Sequence, residues 1–151
     1  MKNVILRKFS YSPGYSDMRG AYHEQTLKKD ESGRWVIICS DREYYNAPTV
    51  VKTYLAAEDG MEGFEALVKS RKVLSLSRRA KSRMFVTDYS PEEYYILLEK
   101  DPDGKGDLKD YRITQYKRFF KRDFRSLELL RETFEALKGQ KISEEEISGG
   151  D

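Results

Sequence analysis

Over the first 55 residues apolar and polar positions alternate with the period of two that suits half-buried strands. Val4 to Tyr11 reads as a strand closed by the turn Ser12-Pro13-Gly14. Ala21 to Lys29 alternates as a second strand and Asp30-Glu31-Ser32-Gly33 supplies a turn. Arg34-Trp35-Val36-Ile37-Ile38-Cys39 follows as the most β-prone run in the chain, so these two segments predict a hairpin. A polar loop from Asp41 to Asn46 carries Tyr44 and Tyr45, and Pro48 opens another extended run through Leu55.

The period then lengthens to about 3.6. Between Glu58 and Lys72 the residues Met61, Phe64, Leu67 and Val68 share one helical face, with Asp59 near the start and Lys69, Arg71 and Lys72 at the carboxyl end, where the helix dipole favours cations. From 73 to 87 short apolar pairs are broken by serines and arginines, and no period emerges. Tyr94–Leu98 and Leu108–Tyr116 predict strands around an Asp- and Gly-rich loop at 101–107. A second helix is expected over 123–138, with Phe124, Leu127, Leu130, Phe134 and Leu137 on one stripe and Gly139 as terminator.

These elements predict an α+β fold: an antiparallel sheet of about five to seven strands with two helices packed on it. Residues 1–140 are expected to form a single domain, and 141–151 a mobile acidic tail. The expected core is Ile5, Trp35, Ile37, Val51, Phe64, Leu67, Ile96, Leu98, Ile113, Leu127, Leu130 and Phe134. The order of strand meander, helix, hairpin and helix resembles small uncharacterised bacterial proteins whose strand-rich body ends in an amphipathic helix. The resemblance is one of layout over most of the chain. It carries no functional motif, so it implies no activity and no site.

Composition changes the picture in one respect. Charged residues make up 36% of the 151 positions, but aromatics reach 13% and are spread along the chain, which disordered segments do not show, so folding is expected. The amino terminus has a three-residue apolar run before charge returns, too short for a secretory signal. No stretch approaches the roughly 20 apolar residues of a membrane span, and one cysteine allows no internal disulfide. A cytoplasmic protein with no membrane partner is the expectation.

The inventory of reactive groups is sparse. His23 and Cys39 are the sole histidine and cysteine, which removes most metal sites, thiol enzymes and hydroxyl–imidazole triads. His23 has no second ligand in Tyr22 or Glu24 and reads as structural; Cys39 ends a hydrophobic strand and reads as core. Glu92 and Glu93, adjacent on a strand, should point to opposite faces. Aligned as a calcium loop from Asp101, the 101–107 segment would place Lys105 and Arg112 where oxygen ligands belong, so it reads as a hairpin turn. Gly104-Lys105-Gly106 lacks phosphate-loop spacing. No catalytic residue, cofactor or metal ligand is assigned, although an enzyme with a carboxylate, tyrosine or lysine pocket would leave no recognisable motif.

Charge distribution carries the functional content. Residues 69–125 hold 16 basic and 9 acidic side chains, whereas 126–151 hold 3 and 7. Lys69 to Arg83 contains seven basic residues and no acid. A second cluster, Arg112, Lys117, Arg118, Lys121, Arg122 and Arg125, is interleaved with Tyr111, Tyr116, Phe119, Phe120 and Phe124. Cations for phosphates and rings for bases are what single-stranded nucleic-acid surfaces use. Against this, Phe120 and Phe124 fit the core stripe of the second helix, and exposed cations commonly serve solubility. The expectation is a non-enzymatic binding or interaction module of unassigned partner, an acidic protein or nucleic acid being the candidates; the alternative is polyanion or single-stranded nucleic-acid binding through basic and aromatic residues in 69–125. Its candidate polyanion-binding residues are Arg78, Arg79, Lys81, Arg83, Lys117, Arg118, Lys121 and Arg122. The acidic Glu144, Glu145 and Glu146 are expected to be able to lie over them.

Overall fold

The computed structural model describes residues 4–13, 21–80, 92–114 and 117–148. Among them, seven strands build one antiparallel sheet: β1 (Val4–Ser12), β2 (Tyr22–Lys29), β3 (Trp35–Arg42), β4 (Thr49–Ala56), β5 (Glu93–Lys100), β6 (Asp107–Thr114) and β7 (Lys138–Ile147). Their order is β6-β5-β1-β2-β3-β4-β7. Three α-helices, α1 (Glu58–Val68), α2 (Arg71–Leu74) and α3 (Lys121–Glu135), and a 3-10 turn at Ser75–Arg78 complete the described elements. The architecture is α+β with the sheet dominant, and it has one helix more than the two expected.

The parity of each strand decides which side chains meet the helices. On β1, Val4 and Leu6 are buried; a register shift between Leu6 and Lys8 then moves the buried set to Phe9 and Tyr11. This bulge lets one strand keep a single apolar face although even positions give way to odd. Phe9, fully buried, has its ring centre 5.0 Å from that of Phe64 on α1 and 4.8 Å from that of Phe134 on α3. Pairing carries the same face across the sheet through Leu27 and Ile37 on one side and Ile96 and Ile113 on the other. Ile37, Phe64, Ile96, Leu98, Ile113, Leu127, Leu130 and Phe134 are buried as expected, and Trp35 and Leu67 pack partly against them. Ile5 and Val51 do not join this core. Ile5 pairs with Glu99 and Val51 with Ser40, both on the face turned away from the helices.

Helix boundaries also differ from the periodic reading. α1 stops at Val68, and Ser70 restarts the chain as α2, its carbonyl accepting the amides of Val73 and Leu74. α3 ends at Glu135, so Leu137 turns inward at 2% exposure and its carbonyl accepts the Ala57 amide at 2.8 Å. Gly139 does not terminate the helix. It sits in β7, where a Cβ would lie 2.7 Å from the Leu55 carbonyl oxygen, so glycine permits the close approach of β7 to β4.

The acidic segment expected as a mobile tail is largely this edge strand. Lys138–Ile147 is exposed on both faces, so no apolar alternation marks it in the sequence. Backbone pairing with β4 holds it, together with opposite charges in register at Lys52 and Glu144 and a 2.9 Å ion pair from Lys141 to Glu144.

Candidate functional site

The 3-10 turn and the start of α3 meet at one corner of the fold, next to edge strand β6. The Arg118 amide donates to the Ala80 carbonyl at 2.8 Å, and Lys117 Nζ lies 3.4 Å from the Ser77 carbonyl oxygen. Arg78 and Arg79 of the first basic cluster and Lys117 to Arg125 of the second, well separated in sequence, therefore share one corner, whereas Arg112 lies on the other face of the sheet beside Tyr95. Beneath them lies a partly buried ion pair: Arg79 donates from its terminal nitrogen to Asp123 Oδ1 at 2.9 Å, and Asp123 is 4% exposed. Asp123 Oδ2 also accepts the Phe120 amide at 2.8 Å, which caps the first turn of α3 from within. Phenylalanine at the N-cap has no acceptor to return the bond.

Above this anchor the surface is cationic. Arg78, Arg118, Lys121, Arg122 and Arg125 are exposed and Lys117 is half-buried. Lys121 and Arg122 occupy the first turn of α3, where the positive end of the helix dipole opposes them by about 0.5 kcal/mol each. Lys81 and Arg83 lie outside the described residues. Phe120 is 61% exposed, with the guanidinium carbons of Arg79 and Arg122 at 5.2 and 5.5 Å from its ring centre. Phe124 is 58% exposed. Both rings were expected in the core stripe; Phe124 does continue that stripe, but it meets Phe119 edge-on at 5.5 Å and lines a cavity mouth.

That cavity, about 420 Å³, runs between α3 and the end of the sheet. At its floor Glu92 accepts hydrogen bonds from the hydroxyls of Tyr94 at 2.5 Å and Tyr11 at 3.3 Å, with Arg131 at 3.5 Å. Burial, then the hydrogen bond to Glu92, pushes the Tyr94 phenol far above its ordinary pKa. Burial, then the Glu92 charge, raises Tyr11 likewise. Both phenols therefore stay protonated and serve as donors to the carboxylate. Glu93 falls on the opposite face of the sheet, as the alternation of a strand requires.

The remaining residues singled out by the sequence have structural surroundings. His23 Nδ1 lies 2.8 Å from Asp41 Oδ1 on the neighbouring strand, a partner invisible to local sequence. Cys39 is buried, and that burial raises its thiol pKa. The 101–107 loop joins β5 to β6 as a hairpin, with the Asp101 carbonyl accepting the amides of Gly104 and Gly106. Asp101 and Gly106 take positive φ there, at 51° and 65°. Among the described residues no group of three His, Cys, Asp or Glu side chains is placed to hold a metal ion. Nor is any described helix long and apolar enough to cross a membrane. Glu144, Glu145 and Glu146, paired along β4 at the edge opposite β6, do not lie over the basic corner. No family model, curated protein or solved structure matches the chain.

Proposed function

We propose that the chain is a non-enzymatic binding module whose cationic, aromatic corner takes a polyanion, with single-stranded nucleic acid as the class. The observation that carries this reading is the exposure of Phe120 and Phe124 amid Arg78, Lys117, Arg118, Lys121, Arg122 and Arg125. Cations alone would suit solubility. Two large rings left in water beside them are costly unless something covers them, and a base offers a planar face at the spacing of its phosphates. The placement of Lys121 and Arg122 against the helix dipole supports the same reading, because a bound phosphate relieves the repulsion. The protonated Tyr11 and Tyr94 suit a fixed hydrogen-bond network around Glu92 better than proton transfer near neutral pH.

Titration of a fluorescein-labelled single-stranded oligonucleotide at about 50 and about 200 mM salt tests the proposal. Engagement of about six cations predicts that affinity falls on the order of 10²-fold between the two. Absence of binding at the lower salt, or binding indifferent to salt, refutes it. Equal binding of polyglutamate would favour an acidic protein partner instead.

A further inference from the structure

We propose that the sheet face turned away from the helices carries a second, independent site: a polar cleft for a small zwitterion, its carboxylate held by Lys8 and Arg112 and its ammonium by Glu93. The cleft measures about 340 Å³ and spans strands β6, β5, β1 and β2. At its centre lies Tyr95, opposite Arg112 on one side and Ser10 on the other. Two cations from different strands converge on that ring, the Arg112 guanidinium carbon at 4.9 Å and Lys8 Nζ at 5.9 Å from its centre.

Neither cation is neutralised where it sits. Lys8 has no carboxylate partner among the described residues, and Arg112 has Asp110 at 3.7 Å, a solvent-exposed contact of little strength. Like charges gathered on one ring leave a place for an anion, above a floor where the Ser10 hydroxyl is already bonded to that of Thr26 at 3.2 Å. The opposite charge stands one step along the strands. Glu93 precedes Tyr95 on the same face of β5 by two residues, a backbone step of about 7 Å, and has no ion-pair partner among the described residues. Glu24 closes that end, its carboxylate oriented by the hydroxyls of Tyr22 at 2.9 Å and Thr26 at 3.2 Å. A floor whose cations meet over Tyr95 and whose carboxylates stand a two-residue strand step along the backbone, about 7 Å, matches a ligand carrying the reverse pair at about that span. A simple anion would satisfy the Lys8 end and leave Glu93 and Glu24 facing it.

6-Aminohexanoate is the probe, since its carboxylate and ammonium span that distance, with hexanoate and hexylamine as single-charge controls. Calorimetry should give saturable millimolar or tighter binding of the zwitterion, at least tenfold stronger than either control. Arg112→Gln and Glu93→Gln, both surface changes, should each weaken it about tenfold while leaving the melting temperature unchanged. Hexanoate binding as tightly as the zwitterion, indifference to both substitutions, or no binding by about 50 mM overturns the proposal. Oligonucleotide affinity should be unaffected by Glu93→Gln, which separates this site from the corner at α3.

Discussion

Arg79, at the end of the 3-10 turn, reaches Asp123 in the first turn of α3 across 44 residues of sequence, and their 2.9 Å ion pair fastens the two basic clusters together. The pair is nearly three-quarters withdrawn from water on the arginine side and almost wholly on the aspartate side. Replacing Arg79 by Met leaves the Asp123 carboxylate buried with the Phe120 amide and the helix end as its support. Chemical denaturation of Arg79→Met should show a loss of about 2 kcal/mol. Arg78→Met, next along the chain but exposed, should stay within about 0.5 kcal/mol of the parent. Equal effects would show that the ion pair does not hold the corner.

Acid should loosen the β2–β3 turn in a defined window. Asp30 accepts the Ser32 hydroxyl at 2.8 Å and the amides of Ser32 and Arg34 at 2.9 Å each, and these bonds, with Ser32 foremost, lower its pKa to about 2. A carboxylate with a folded-state pKa below its unfolded value of about 3.9 stabilises above that value and loses its contribution as pH falls toward 2. Melting curves of the parent and Asp30→Asn should therefore differ most above about pH 4 and converge near pH 2. A constant difference from pH 2 to 6 would contradict the assignment.

Removing β7 gives opposite outcomes for a strand and for a covering tail. Truncation after Leu137 strips the pairing from β4 and should lower stability on the order of 2 kcal/mol in a denaturant titration. It should leave oligonucleotide affinity nearly unchanged. Six strand spacings of about 4.8 Å separate β7 from β6, well beyond a Debye length at physiological salt. Unchanged stability with strengthened binding would instead mean that Glu144, Glu145 and Glu146 act as a competitor.

The strands β1 to β6 and the stripes of α1 and α3 were legible because each has an apolar face whose period local sequence records. β7 was not, because Lys138–Ile147 buries no face and owes its form to pairing with β4. Ile5 was misplaced by the bulge after Leu6, which flips parity without any marker in the sequence. At the candidate site, charge patterning named the cations but could not place them. Their convergence depends on contacts such as Arg118 to Ala80 and Arg79 to Asp123, which join distant segments. Phe124 misled in the other direction: its helical position belongs to the stripe, yet its ring remains largely in water. The open-face cleft was hidden because its charges come from four strands and meet only through register.

The rings of Phe120 and Phe124 separate stacking of bases from simple attraction of charge. Fluorescence anisotropy with a single-stranded oligonucleotide, run beside heparin on the parent and the Phe120→Ala/Phe124→Ala variant, measures the difference directly. The account predicts that the variant keeps its melting temperature and its heparin affinity but loses about 1–3 kcal/mol of oligonucleotide binding per ring, roughly 5- to 150-fold each. Equal affinities of the parent and the variant for the oligonucleotide, or equal losses for oligonucleotide and heparin, would contradict it.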